Sequence, residues 1–282
     1  MCRQACFPKG FKRNDAIDIL LDMEKFNTDG VGYCYLKNGE FVVRKWTKSL
    51  SKVLRREKNF LNDIRDAEGY TLVHLRAASH GCIHYDNTHP FITNSGDYAI
   101  MHNGIFSDYK LAKLCLKSTV AFKGDTDSEV AAAIIDTAGI KAFSDEMDMS
   151  GVFCCLKKDG TLYVIKTSGD MCAHQLPNKT CLLSSELDVA TFRQQELLTG
   201  YYVFNKDCQY VKHHEKKDKW SSKWSKPYSP SYGGSGFYDE NEVFQRASAD
   251  MGSHRDYDQR LLPYHYQPKK IDKIEISWSE HG

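Results

Sequence analysis

The order of its predicted secondary structure makes this chain an α+β protein with largely antiparallel sheets. Two pairs of strand-like segments are each joined by a short turn that contains glycine, and helical segments stand apart from them. A doubly wound parallel fold would instead alternate strands and helices along the chain. Antiparallel pairing of neighbouring strands is therefore favoured.

The first elements of the chain have clear local signals. A helix is predicted from Asn14 to Lys25, where apolar residues recur at near-helical spacing behind a good capping residue. Strands at 31–36 and 41–46 flank Asn38-Gly39, a dipeptide that supplies the positive φ angles of a tight hairpin. The remaining predicted elements are a charged helical stretch at 49–66, strands at 71–76 and 98–102, helices at 107–116 and 127–138, a second hairpin with strands 152–156 and 162–166 around Lys158-Asp159-Gly160, and short strands at 181–184 and 201–204.

The character of the sequence changes after about Lys212. Few apolar residues beyond it could face a core, and residues 228–236 are rich in Ser, Pro, Tyr and Gly. We predict one domain over residues 2–211 and a linker or partly disordered tail over 212–282. The apolar run at 271–278 could form one returning strand.

Composition and charge exclude several classes of function. The chain has 38 Lys+Arg against 37 Asp+Glu, so a global electrostatic role on nucleic acid or membranes is not expected. No run approaches the roughly 18 apolar residues of a membrane helix, and no signal-peptide layout is present, so a cytoplasmic location is predicted. Seven lysines between Lys206 and Lys226 lie near Trp220 and Trp224. A solvated linker or a docking segment for a partner is favoured there over nucleic-acid binding.

The ten cysteines include no C-x-x-C pair, which argues against a structural zinc site. Without a secretion signal most of them are expected to be reduced core residues. His80, Cys82, His84 and His89 lie close in sequence, but no helix organises them, and we predict no metal and no cofactor. His80 and His89 are instead expected to be hydrogen-bonded structural groups or to orient a substrate.

Four separated segments carry the functional signal. They are Cys2; residues 74–81, followed by 87–91; residues 101–106; and residues 124–130. In this order and spacing they resemble the class II glutamine amidotransferase domain, a member of the N-terminal nucleophile hydrolases, over roughly residues 2–205. The resemblance implies a four-layer αββα fold with antiparallel sheets, followed here by a C-terminal extension.

The same segments can be assigned to the chemistry of amide hydrolysis. Loss of Met1 would place a thiol nucleophile and a free α-amino group, with an ordinary pKa of about 7.7–8.0, on Cys2. The amide of Asn103 and a backbone N–H at Gly104 could stabilise an oxyanion. The alternatives are a loose terminal thiol at Cys2 and an ordinary turn at residues 103–104, because Asn-Gly is also the favoured hairpin dipeptide.

The substrate clamp is assigned by resemblance. Arg76 ends an apolar strand, where a buried cation needs an anion. The resemblance implies that Arg76 holds the α-carboxylate of glutamine, assisted by Ser79 and His80, and that Asp127 and the Gly104 region hold the α-amino group. An internal salt bridge for Arg76 and an N-cap role for Asp127 remain alternatives.

The predicted function is a glutaminase of the amidotransferase type. It would hydrolyse the side-chain amide of glutamine, or of another γ-glutamyl amide, through a thioester on Cys2 and pass ammonia to a separate synthetase or ligase. The family usually has glycine after the nucleophile, whereas the Cys2-Arg3 start is similar to a branch of γ-glutamyl amide hydrolases. A stand-alone γ-glutamyl amide or peptide hydrolase and a non-catalytic binding module are therefore the alternatives.

Overall fold

A computed structural model describes residues 2–78, 82–146, 149–187 and 195–215. The helices are α1 (Arg13–Glu24), α2 (Leu50–Leu54), α3 (Phe60–Asp66), α4 (Tyr109–Leu116), α5 (Asp127–Ala138) and α6 (Ile140–Glu146). The strands are β1 (Arg3–Phe7), β2 (Gly30–Lys37), β3 (Glu40–Trp46), β4 (Thr71–Arg76), β5 (Phe91–Ile92), β6 (Tyr98–Ile105), β7 (Ser150–Lys157), β8 (Leu162–Lys166), β9 (Cys172–Gln175), β10 (Cys181–Ser184), β11 (Gln195–Glu196), β12 (Gly200–Phe204) and β13 (Tyr210–Glu215).

The strands form two antiparallel sheets. The first has the order β11-β9-β10-β1-β4-β2-β3, and the second has the order β13-β12-β8-β7-β6-β5. β1 lies between β10 and β4 in the first sheet. β6 and β7 pair along their whole length in the second sheet.

Three apolar clusters show that the sheets and helices form four layers. One cluster joins α1, α2 and α3 to the outer face of the first sheet. A second cluster fills the space between the two sheets, with side chains such as Cys6, Leu72, Met101 and Cys154. A third joins α5 and α6 to the outer face of the second sheet. The predicted αββα arrangement is confirmed.

Both predicted hairpins are confirmed. Asn38 and Gly39 have φ angles of 53° and 72°. These are the left-handed values that an Asn-Gly dipeptide adopts in a tight hairpin turn. The second turn has Gly160 at φ 88°. The helical stretch predicted at 49–66 is instead two short helices, α2 and α3, separated by residues 55–59.

Some elements lie beyond the predicted set. β1 is buried in the middle of the first sheet, and the short strands β5, β9 and β11 were not predicted. β13 runs to Glu215, past the predicted domain end at residue 211. Residues 216–282, including the predicted strand at 271–278, lie outside the described residues. No helix in the described part of the chain has the length and apolarity needed to cross a lipid bilayer.

Candidate active site

Cys2 and Arg76 lie side by side at one end of the first sheet. Arg3 at the start of β1 is paired with Leu75 of β4, so the register brings Cys2 opposite Arg76, the last residue of β4. The Cys2 thiol donates a hydrogen bond to the carbonyl oxygen of Ala77, with Sγ and O 3.5 Å apart. The predicted nucleophile therefore lies against the end of β4, the strand that carries Arg76, which is predicted to bind the carboxylate of the substrate.

Strand alternation turns Arg76 and Asn103 toward the same space. Leu72 of β4 and Met101 of β6 belong to the cluster between the two sheets. Every second residue of a strand faces the same side. Arg76 and Asn103 therefore face the space between the sheets, from opposite sides of it.

Two polar bridges fix these strand ends relative to each other. The side-chain amide of Gln4 donates from Nε2 to the carbonyl oxygen of Val152 at 3.2 Å, and Val152 is paired with Asn103. Nε2 of His74 lies 3.2 Å from the carbonyl oxygen of His102. Burial lowers the pKa of His74 to about 3, although its bond to His102 opposes this shift. The neutral ring of His74 thus donates from Nε2 to the residue before Asn103.

Asn103 and Gly104 lie in a strand and not in a turn. They are paired with Val152 and Gly151 on β7, and neither has a positive φ angle, in contrast to Asn38 and Gly39. The alternative of an ordinary hairpin turn at this position is wrong. Asn103 is only 5% exposed as a residue, and its side-chain amide makes no hydrogen bond to another described residue. A buried amide without a partner is available to a ligand or to a developing charge.

Gly104 has a packing reason of its own. A Cβ at this position would lie 1.9 Å from the carbonyl oxygen of Ser150 and 2.7 Å from Nε2 of His102. A side chain would therefore force the backbone of β7 and the ring of His102 to move. The absence of a side chain here serves the strand pairing, whatever the backbone N–H does in the reaction.

Asp127 connects α5 to the strand that carries Asn103. Its Oδ2 accepts a hydrogen bond from the backbone N–H of Phe106, directly after β6, at 2.9 Å. Thr126 occupies the N-cap position, and Asp127 is the first residue of the helix. The predicted N-cap role therefore does not apply, although a carboxylate in the first turn is still favoured by the helix dipole.

The charges around the thiol differ in sign. Burial raises the pKa of the Cys2 thiol, the Arg76 guanidinium opposes that rise, and the Asp127 carboxylate adds to it. A thiol with a raised pKa is protonated at neutral pH and needs a base before it can act as a nucleophile. Arg76 and Asp127 therefore act on the pKa of this thiol in opposite directions.

Arg76 is held by the chain segment that follows it. Its guanidinium donates from Nη1 to the carbonyl oxygen of Cys82 at 2.9 Å, and the Asn87 side chain donates to the same oxygen at 3.1 Å. Gly32 of β2 allows this segment to approach, because a Cβ there would lie 2.0 Å from the carbonyl oxygen of His89. Ser79 and His80, the predicted assistants of Arg76, lie outside the described residues.

The structural hydrogen bond expected for His89 is not present. Both of its ring nitrogens are enclosed without a hydrogen-bond partner among the described residues, and its ring centroid lies 4.0 Å from that of His74. The alternative that His89 orients a substrate stays a prediction. Burial holds the pKa of His89 well below its usual value. Cys82 and His84, two members of the possible metal site considered from the sequence, are exposed. No group of three His, Cys, Asp or Glu in the described part of the chain could hold a metal ion.

Gln4, His74, His102 and Ser128 support the site but were not selected from the sequence. Nδ1 of His102 lies 3.1 Å from Oγ of Ser128, and Nε2 lies 3.3 Å from the carbonyl oxygen of Ser150. Ser128 follows Asp127 directly, and His102 precedes Asn103. Each of the four lies within two residues of a predicted site residue, and this nearness along the chain is the one signal by which the sequence could have indicated them.

Comparisons with known sequences identify the family. Residues 22–194 match the class II glutamine amidotransferases. The glutamine–fructose-6-phosphate aminotransferase (isomerizing) of Sulfolobus acidocaldarius is 32% identical over 133 residues, which are 45% of this chain and 22% of that protein. The protein of the same name in Fusobacterium nucleatum is 32% identical over 130 residues, which are 44% of this chain and 21% of that protein. The chain spans about a fifth of the length of these curated relatives.

Solved structures show the same fold. A glutamine phosphoribosylpyrophosphate amidotransferase from B. subtilis, complexed with ADP and GMP, superposes with a TM-score of 0.62 at 16% identity, over 76% of this chain and 49% of that chain. A glutamine aminotransferase class-II domain protein from Silicibacter pomeroyi gives a TM-score of 0.50 at 15% identity, over 77% of this chain and all of that chain. At these identities the likeness concerns the architecture alone.

Proposed function

This chain belongs to the class II glutamine amidotransferases, and we propose that it hydrolyses the side-chain amide of glutamine with Cys2 as its nucleophile. The observation that carries the proposal is the placement of Cys2. Its thiol lies at the start of a buried central strand, opposite Arg76 and within the electrostatic influence of Asp127. Asn103 lies near the end of β6 in the second sheet, where it is paired with Val152.

The proposed reaction uses this arrangement in two stages. Once Met1 is removed, the α-amino group of Cys2 takes the thiol proton, and the sulfur attacks the amide carbon of glutamine. The oxyanion accepts hydrogen bonds from the Asn103 side chain and the Gly104 backbone N–H. Ammonia leaves with the proton, and water then cleaves the thioester to give glutamate and restore the thiol.

The substrate clamp follows from opposite charges. Arg76 would pair with the α-carboxylate of glutamine, because a guanidinium fork binds a carboxylate through two hydrogen bonds. Asp127 would pair with the α-ammonium group. Ser79 and His80 are proposed to assist Arg76, as the family resemblance implies. The raised pKa of the Cys2 thiol supports the need for a neighbouring base.

The fate of ammonia is the finer part of the proposal. We propose that it passes to an acceptor on a separate synthetase or ligase. Arg3, which follows Cys2 as in the γ-glutamyl amide hydrolase branch that the start of the chain resembles, donates to Oδ2 of Asp170 at 3.0 Å and to the carbonyl oxygen of Glu186 at 2.8 Å. By strand alternation it faces the side opposite to Gln4. These contacts support the strand that carries the nucleophile, and they favour neither of the two substrates.

Substrate comparison separates the two enzyme proposals. Glutamate release should be measured with glutamine and with γ-glutamyl dipeptides at equal concentrations. The amidotransferase proposal expects a higher kcat/KM for glutamine, and a clear preference for the peptides would contradict it. Cys2→Ala should abolish release from either substrate. The matched control, Cys155→Ala, changes a buried thiol on β7 and should retain activity.

A reducing compartment fits the thiols. All ten cysteines are free. Free thiols in this number are typical of proteins kept in reducing surroundings. We therefore propose the cytoplasm as the location, and fractionation of the source cells with detection of the chain in the membrane-free lysate would test it.

A further inference from the structure

The two oxygens of the Asp127 carboxylate have different surroundings. Oδ2 accepts from the Phe106 backbone N–H, as described above. Oδ1 lies 3.3 Å from the hydroxyl oxygen of Ser128, and that hydroxyl oxygen lies 3.1 Å from Nδ1 of His102. Ser128 has only one hydroxyl hydrogen. It can be donated to Asp127 or to His102, but not to both.

The neighbours of His102 decide where this hydrogen goes. Nε2 of His102 faces the carbonyl oxygen of Ser150 at 3.3 Å, and a carbonyl oxygen can only accept. A neutral ring must therefore carry its hydrogen on Nε2, which leaves a lone pair on Nδ1. The Ser128 hydroxyl then donates to Nδ1, and Oδ1 of Asp127 receives no hydrogen bond from it.

Burial keeps His102 in this form. The ring is stacked on Phe153 with centroids 3.8 Å apart, and its side chain is 1% exposed. Burial lowers the pKa of His102, while Asp127 and the Ser150 carbonyl oppose the shift. Two neighbouring histidines also have pKa values lowered by burial, His74 to about 3 and His89 well below its usual value.

We infer that His102 and Ser128 are positioning residues that keep Oδ1 of Asp127 free for the ammonium group of the ligand. The inference rests on the proposed function, in which that ligand is glutamine. The Asp127 side chain is 10% exposed, and the neighbouring His102 ring, with Nδ1 3.9 Å from Oδ2, is neutral and does not supply a counter-charge. A buried carboxylate with one oxygen held by a backbone N–H and the other open is suited to bind an ammonium.

Protonation of His102 would reverse this arrangement. Both ring nitrogens would then donate, Nε2 to Ser150 and Nδ1 to the Ser128 oxygen. The Ser128 hydroxyl would turn to Oδ1 of Asp127 and occupy it, and a positive charge would stand beside the ammonium site. Ligands with an ammonium group should therefore bind more weakly in acid, and ligands without one should not.

The test compares two ligands on the Cys2→Ala protein, which binds without turnover. Glutamine carries the α-ammonium group, and glutaramate is the same molecule without it. Calorimetric titrations from pH 7.5 downward, as far as the protein stays folded, should show the affinity for glutamine falling relative to that for glutaramate, by up to about tenfold for each pH unit below the point at which His102 takes up a proton. His102→Gln, a ring replacement that cannot be protonated, should remove the difference.

A second measurement needs no variant of His102. Nitrogen-15 NMR of the imidazole should show the hydrogen on Nε2 at pH 7.5. Three results would overturn the inference. They are a hydrogen on Nδ1, an affinity that falls equally in acid for glutamine and glutaramate, and a difference in pH dependence between the two ligands that persists in His102→Gln. Failure of both ligands to bind would instead contradict the proposed function, so the two failures can be told apart.

Discussion

Acid should destabilise this fold through His89, and the size of the effect can be worked out. Both ring nitrogens of His89 are enclosed without a partner, and burial holds its pKa well below the ordinary value of about 6.5. The unfolded chain therefore binds a proton that the folded chain does not. Stability from this group is present above about pH 6.5 and is lost as the pH falls, at about 1.4 kcal/mol per pH unit.

If the folded ring stays neutral, the loss from His89 alone between pH 6.5 and 4.5 is about 2.3 kcal/mol, because the unfolded ring is only half protonated at pH 6.5; the total stability of a typical domain is about 5–15 kcal/mol. Urea denaturation at several pH values gives the free energy of unfolding directly. His89→Leu should lower its slope against pH by about 1.4 kcal/mol per unit in this range. His84→Leu, on a side chain that is 61% exposed in the same segment, is the matched control. An unchanged slope in His89→Leu would refute the reasoning.

Three further outcomes are expected. Asn103→Ala should lower kcat for glutamine hydrolysis about 10²–10³-fold with little change in KM, whereas Asn38→Ala, in the other Asn-Gly pair, should not; equal kinetics in the two variants would contradict the oxyanion role. Arg76→Lys keeps the charge but loses the fork, and steady-state kinetics should show KM for glutamine raised about tenfold or more. Gly32→Ala should lower the free energy of unfolding by about 1–3 kcal/mol or more, because its Cβ would lie 2.0 Å from a backbone oxygen, while Gly69→Ala, with 3.4 Å of clearance, should be tolerated.

Elements with a local signal could be predicted from the sequence. The hairpin at Asn38-Gly39 is fixed by a dipeptide that tolerates positive φ, and its strands follow directly. The helix at 127–138 was found with the same ends, because alanines and β-branched residues there bury one face. In both cases the information lies within about a dozen residues.

Elements that depend on distant partners could not be predicted. β1 has only five residues, and its neighbours β4 and β10 lie some 70 and 180 residues further along the chain. The polar Gln4, its second residue, looks unsuited to a core strand. Its Nε2 is satisfied by the carbonyl oxygen of Val152 on the facing sheet, whereas its Oε1 is buried without a partner among the described residues.

The candidate site divides in the same way. Cys2, Arg76, Asn103 and Asp127 were selected from motifs, and the structure brings them to one end of the two sheets. The sequence alone could not decide whether Asn103-Gly104 lies in a turn or in a strand, because the same Asn-Gly dipeptide forms a hairpin turn at residues 38–39. His102 supports its neighbours through contacts with other strands and a helix, and no spacing along the chain records those contacts.

The central claim is that Cys2 is an N-terminal nucleophile. Its most direct test is mass spectrometry of the full-length protein after incubation with the glutamine analogue diazo-oxo-norleucine. If Cys2 is the nucleophile, the chain lacks Met1 and carries a single adduct, mapped to Cys2 among the ten cysteines. A retained Met1, an adduct on another residue, or no adduct would contradict it.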